Sequence, residues 1–290
     1  MFHGLLSAFT RGSLPTRSGA CKSWKSPAFR ASSSRHGSNT PGTVGPLAGR
    51  PDLYVYDLCP FCTRARMIFG LKNIPLRLIW LSYADADTPT ALIGKKMAPI
   101  LHLHQDKPMG ESLDIVRRMD LDPTWGPGLL LPASGREDLK EFEQVNWPLM
   151  RLLLHTRFTR VYLPELALKG GRDYFVNQHP VEGPAGEPRP DAAVWKSWDQ
   201  AKQLSWYDHH YTNSEPLIAR LNKALQALET LIHSEESVSH GGVSYDDVLL
   251  FCRLRPIHII KGVELGPKAA AYLQRMSTRT NIPLLESMAI

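Results

Sequence analysis

Hydrophobic spacing changes period repeatedly between residues 53 and 120, and each change marks an element. "LYVYDL" (53–58) is a short apolar run with aromatic and β-branched residues and reads as a strand. "CPFCTRARMIFGLKN" (59–73) then switches to helical spacing. Phe61, Ala65, Ile68, Phe69 and Lys72 fall on one side, Pro60 suits the first turn, and Asn73 can end the helix. "PLRLIWL" (75–81) alternates as a second strand, and "TPTALIGKK" (88–96) reads as a short helix. "PILHLH" (99–104) and "KPM" (107–109) read as a hairpin of strands, followed by a helix over "ESLDIVRRMD" (111–120).

The order β-α-β-α-β-β-α predicts a thioredoxin-like α/β domain over 51–120, a mixed sheet with helices on both faces. A Pro- and Gly-rich linker over 121–135 leads into a helical domain, 136–290. Trp125 and the "LLL" run at 129–131 suit a strap packed over both domains better than a free tether. The helical part holds a long helix over 136–158 with Pro148 as a kink site, a surface loop over 179–191, and an amphipathic helix over 215–234. A further helix opens at Ser244, where Asp247 three residues on completes a variant capping box, and the last falls near 266–278.

Charge locates a separate segment. The chain of 290 residues carries a net +6, yet residues 1–50 hold seven Lys and Arg and no acid, so the rest sums to about −1. A nucleic-acid-binding body is therefore not supported. Residues 1–50 are rich in Ser, Arg and Gly, and Phe2, Leu5, Leu6 and Phe9 follow an amphipathic spacing. That is the composition of an organelle transit peptide, with a mitochondrion slightly favoured over a plastid; the alternative is a disordered basic extension on a cytoplasmic protein. No apolar run is long enough to predict a membrane span.

Four cysteines do not make a disulfide framework, but Cys59 and Cys62 form a C-x-x-C where a strand meets a helix. No second C-x-x-C, C-x-x-H or H-x-x-H accompanies them, so no metal is expected. At a helix start, unpaired N–H groups and the helix dipole favour a thiolate, so Cys59 is the expected nucleophile. Cys62, nearly one turn on and more buried, is the expected resolving thiol. Arg64 and Arg66 could add positive field, although helical spacing favours placing both in water. Cys252, on the apolar face of "VLLFCRL", reads as core, as does the cluster Trp195, Trp198, Trp206 and Tyr207. The neighbouring histidines of "DHHY" (208–211) do not converge on a helix, so no metal is expected there either.

"YDLCPFCTRARMIFGLKNIP", "APIL", "ESLDIV" and the C-terminal "NIPLLESMAI" resemble the bacterial glutaredoxin 2 family, over about residues 52–290. The resemblance weakens at the Pro-rich stretch near 180–200, which looks like an insertion. It implies a glutaredoxin domain followed by a glutathione-transferase-like helical domain, and glutathione-dependent reduction of protein disulfides and glutathione mixed disulfides. By the same resemblance, Cys59 and Cys62 are catalytic, and Phe61, Ala98, Pro99, Glu111 and Ser112 bind glutathione. Pro99 falls where the fold keeps a cis-proline facing the dithiol. Ala98 would offer its backbone to the cysteinyl segment of glutathione, and Glu111 and Ser112 would receive the γ-glutamyl end. For that pair, the residues alone read equally as a helix cap with a dipole-matching acid. Gly110 stands where the bacterial relatives have proline. Glutathione is the expected co-substrate, and disulfide-bonded or glutathionylated proteins are the expected partners. Other enzymes on this fold, a glutathione transferase or a dehydroascorbate reductase, are the nearest alternative. A non-catalytic protein holding glutathione or a [2Fe–2S] cluster comes after them.

Overall fold

Strand β1 (Asp52–Val55) is buried along almost its whole length, as expected of a central strand. In the computed structural model, which describes residues 49–290, it lies between β2 (Arg77–Trp80) and β3 (Ile100–His102), in the order β2-β1-β3. The proposed targeting segment and Cys21 lie outside the described residues. β1 pairs parallel with β2, and antiparallel with β3 in a register that sets Asp52 opposite His102. The expected fourth strand is reduced to a single bridge: Met109 exchanges both backbone hydrogen bonds with Leu101, each 2.8 Å. Pro108 has no N–H to extend that ladder.

Helices α1 (Pro60–Leu71), α2 (Asp87–Ile93) and α3 (Ser112–Leu121) complete the first domain. The second holds α4 (Glu137–Phe158), α5 (Lys169–Gln178), α6 (Ala192–Ser197), α7 (Gln200–Thr212), α8 (Glu215–Leu225), α9 (Leu228–Leu231), α10 (Tyr245–Leu254) and α11 (Pro267–Thr280). α4 runs through Pro148 without a break in helix. The single helix expected over 215–234 divides into α8 and α9, because the N–H groups of Ala227, Glu229 and Thr230 bond three residues back and tighten the turn. The capping box at α10 forms as expected: Ser244 Oγ accepts from Asp246 N at 3.2 Å, and Asp247 Oδ2 accepts from Ser244 N at 2.8 Å.

α1 sits where the two domains meet. It packs against α3 within its own domain and against α10 and α11 of the helical one. Every residue from Cys62 to Phe69 is buried, so the helix has no solvent face there. Two expectations change accordingly. Arg64 and Arg66 do not reach water: Arg64 Nε donates to Cys252 Sγ at 3.4 Å, and Arg66 pairs with Asp57 at 2.6 Å. Phe61, expected on the side of Ala65 and Phe69, is instead 45% exposed, because it lies in the first turn beyond the domain contact. At the other end, Gly70 lies against α11 so closely that an added Cβ would fall 1.8 Å from the carbonyl oxygen of Thr280.

The linker is strapped down mainly by backbone rather than by its apolar run. Leu131 N donates to Val243 O at 3.0 Å, Tyr245 N donates to Leu131 O at 3.1 Å, and the Asp120 carboxylate takes Leu129 N at 2.7 Å. Trp125 and Leu130 pack on the core, whereas Leu129 and Leu131 stay 37% and 40% exposed. Trp195 and Tyr207 are fully buried, with Trp198 and Trp206 packed beside them, and Cys252 is buried as well. No helix among the described residues is long and apolar enough to cross a membrane.

Candidate active site

Cys59 caps α1. Its backbone is extended (φ −82°, ψ 119°), Pro60 follows in the first turn, and its Sγ accepts the N–H of Cys62 at 3.4 Å. Cys59 is half-buried and Cys62 fully buried, and Cys62 Sγ accepts from Tyr56 N at 3.3 Å. The hydrogen bond from the Cys62 thiol holds Cys59 below the ordinary thiol pKa, outweighing burial, and the N–H groups of Cys62 and Phe61 act in the same direction. Burial pushes the Cys62 thiol well above its usual value, and the neighbouring Cys59 adds to the rise. One sulfur of the pair is therefore biased to ionise, and the other to keep its proton.

The loop between β1 and Cys59 is held from the helical domain by residues more than a hundred positions away. Glu165 Oε1 accepts the N–H of Leu58 at 2.7 Å, and Glu165 O accepts the N–H of Tyr83 at 2.9 Å. The Glu165 carboxyl is buried, its Oε2 has no hydrogen-bond partner among the described residues, and burial raises its pKa. Arg255, 1% exposed, donates to Asp57 O at 2.8 Å, to Asp57 Oδ1 at 2.9 Å and to Pro283 O at 2.9 Å. Burial lowers the Arg255 pKa to about 10 against the pull of Asp57. Burial also acts to raise Asp57, but the charges of Arg255 and then Arg66 hold it below the ordinary carboxylate range.

Cys59 opens into a cleft of about 540 Å³ between the domains. Of the residues singled out in the sequence, Cys59, Phe61 and Ala98 line it. Pro99, buried, follows Ala98 through a cis peptide bond and lies behind the wall. Glu111 and Ser112 are outside the wall, at the start of α3. Ser112 is buried, and Glu111, at φ +65°, points to solvent and pairs with Lys95 at 3.2 Å. Gly110 lies against the methionine of the wall: an added Cβ would meet Met97 Cε at 2.3 Å.

The opposite wall comes from α4, α5 and α10, and sequence reasoning did not single it out. Lys96, Arg151 and Arg253 bring three cations to the cleft, and its described lining includes no carboxylate. Arg253 is stacked 4.1 Å from the Trp147 ring centre and paired with Glu143 at 2.6 Å, which fixes its position at the rim. Lys96 Nζ lies 3.5 Å from the Tyr174 ring centre and donates to Tyr83 O at 2.6 Å. Deeper in, His179 Nδ1–H donates to Phe175 O at 2.7 Å, which leaves Nε2 to accept from the Tyr83 hydroxyl at 3.3 Å. Burial lowers the pKa of both His155 and His179, so this end of the cleft favours neutral imidazoles. In sequence these residues look like ordinary helix-face cations and aromatics. Only their convergence on Cys59 distinguishes them.

The arrangement has known counterparts. Residues 53–122 match the model of the glutathione S-transferase N-terminal domain, and residues 191–289 match that of the glutaredoxin 2 C-terminal domain. Glutaredoxin 2 of Escherichia coli strain K12 is 36% identical over 239 residues, which is 82% of this chain and 99% of that protein. The crystal structure of glutaredoxin 2 from Salmonella typhimurium in complex with glutathione superposes with a TM-score of 0.70 at 34% identity, over 84% of this chain and all of that one. FzlA from C. crescentus shares the fold, with a TM-score of 0.50 at 18% identity over 82% of this chain and 92% of its own. On identity across both domains, the chain belongs to the glutaredoxin 2 family of glutathione-dependent oxidoreductases.

Proposed function

We propose that the chain reduces glutathione mixed disulfides and protein disulfides through its dithiol. The observation that carries the reading is Cys59 at the start of α1, depressed in pKa and facing a cleft whose described charges are all positive. The Cys59 thiolate attacks the glutathione sulfur of a glutathionylated protein, forming a Cys59–glutathione disulfide and expelling the protein thiolate, which takes up a proton. A second glutathione thiolate then attacks the glutathione sulfur of that intermediate, releasing oxidised glutathione and restoring the Cys59 thiolate. With a protein disulfide, Cys59 forms a mixed disulfide with the substrate. Cys62 loses its proton and attacks Cys59, freeing the substrate thiol and leaving a Cys59–Cys62 disulfide that two glutathiones reduce.

Phe61, Ala98, Pro99, Glu111 and Ser112 would hold glutathione: the backbone of Ala98 beside the sulfur, and the start of α3 at the γ-glutamyl end. Lys96, Arg151 and Arg253 suit the carboxylates of an anionic peptide. The complex of the Salmonella relative with glutathione supports the choice of ligand. The test is glutathione-coupled reduction of a glutathionylated peptide and of insulin. Cys59→Ser should lose both activities, whereas Cys62→Ser should keep the first and lose most of the second. A Cys62→Ser variant that reduced insulin normally would overturn the dithiol mechanism. A Cys59→Ser variant that stayed active would overturn the nucleophile assignment.

A second reading, conjugation of glutathione to an apolar electrophile, rests on the aromatic wall of Trp147, Phe158, Tyr174 and Phe175. Turnover of an aryl halide faster than disulfide reduction would favour it. For residues 1–50 we propose organelle targeting, from their acid-free basic composition. A fluorescent fusion of that segment should enter a mitochondrion or plastid, and diffuse cytosolic signal would refute the assignment.

A further inference from the structure

At the far end of β1 from the dithiol, three potential metal ligands converge. His102 ends β3 directly opposite Asp52, so their side chains share one face of the sheet. His104 lies past the end of β3, in the turn that follows, and that turn brings its ring back beside His102. The imidazole rings of His102 and His104 are 5.1 Å apart, and His104 Nε2 lies 3.8 Å from Asp52 Oδ2. One donor atom from each of the three residues can be chosen so that all lie within 4.8 Å of one another. Tetrahedral zinc, with bonds of about 2.0–2.2 Å, wants donors roughly 3.4 Å apart, so small side-chain rotations would close the site.

We propose that Asp52, His102 and His104 form a zinc site that clips β1 to the edge strand β3. The donor set, two imidazoles and a carboxylate, suits zinc, and water would complete the tetrahedron. Asp52 is almost fully buried and already oriented: Arg77 Nε donates to Oδ1 at 2.7 Å and Nη2 to Oδ2 at 2.5 Å. The Arg77 side chain is 62% exposed and can swing aside. Zinc would take Oδ2 from Nη2, while the Nε–Oδ1 bond would remain and hold the ligating carboxylate from behind. His104 is 44% exposed on its side chain, which gives the ion a path from solvent. The pattern escapes a search for H-x-x-H or C-x-x-C because the two histidines stand two residues apart, one at the end of β3 and one in the turn after it, and because the third ligand comes from 50 residues earlier through the strand register.

The test is isothermal titration of zinc chloride into the 290-residue chain carrying Cys59→Ser and Cys62→Ser, which removes the dithiol as a competing site. Thermal unfolding with and without zinc accompanies the titration. The expected result is one saturable site at micromolar zinc or tighter, a zinc-dependent rise in Tm, and tetrahedral d–d absorption when Co²⁺ replaces zinc. His102→Ala and His104→Gln should each weaken binding at least tenfold and abolish both the Tm rise and the cobalt band. His104→Gln alters an exposed side chain, so it keeps the result readable if His102→Ala fails to fold. Absence of saturable binding, or binding unchanged in His104→Gln, would overturn the site.

Discussion

At the residue scale, the two thiols differ because of what surrounds each sulfur. Cys59 is at the open end of α1 and receives hydrogen bonds, whereas Cys62 is sealed beneath it. Iodoacetamide at neutral pH should therefore label Cys59 well before Cys62 or Cys252, and its rate should persist to lower pH than that of an ordinary thiol. Peptide mapping that found Cys62 labelled first would contradict the geometry. Glu165 offers a second check. Its folded pKa is raised, so its carboxyl is accommodated best while protonated: stability is fully present below the ordinary glutamate range and declines as pH rises through the raised value. Glu165→Gln keeps an acceptor for Leu58 N and should remove that decline. Glu165→Ala leaves the Leu58 N–H without its partner and should cost about 1–3 kcal/mol. Denaturant melts of the three proteins across pH 4–8 measure both effects. Equal losses in the two variants would contradict the account.

At the scale of elements, α1 carries both the two thiols and the domain contact. A helix exposed on one face would tolerate alanine at Gly70, and alanine is the better helix former by about 1 kcal/mol. Here the added methyl meets backbone of α11, which cannot rotate away as a side chain could. Gly70→Ala should therefore destabilise by about 1–3 kcal/mol despite its helix propensity, with a lower Tm as the readout. An unchanged or raised Tm would show that α11 can shift. The same contact explains why Arg64 and Arg66 were legible as cations but not as buried ones. Their sequence spacing suits a solvent face, and α10 and α11, supplied from nearly two hundred residues away, occupy it.

For the molecule as a whole, the domain boundary at the linker does not mark an independent unit. The charge cluster Asp57, Arg66 and Arg255 is shared across it, and Glu165 reaches across at Leu58. Arg255→Met leaves Asp57 with Arg66 alone and should cost about 3 kcal/mol. Because Asp57 is depressed in pKa, the stability it contributes is present above the ordinary aspartate range and lost as pH falls through the depressed value. Arg255→Met should therefore also flatten the loss of stability on acidification, and adding Asp57→Asn to it should cost further stability, because the buried Arg66 then loses its carboxylate. Calorimetry of the parent should give one transition for residues 49–290, and two separate transitions would show that the shared cluster does not couple the domains.

Local chemistry and short-range periodicity were legible in the sequence alone. The C-P-F-C step from strand to helix, the capping box of Ser244 and Asp247, the order of elements from β1 to β3, and the core placement of Trp195 and Cys252 all depend on residues a few positions apart. Interactions over such distances leave a repeating trace along the chain. Tertiary structure decided what lies opposite. It placed Glu165 and Arg255 behind the dithiol loop, set Lys96, Arg151 and Arg253 around the cleft, exposed Phe61 and sealed Arg64 and Arg66, and brought His102 and His104 to Asp52. A buried charge on a helix reads like any other surface charge until the surface that covers it is known. That covering surface is set by packing between segments far apart in sequence, and no local period encodes it.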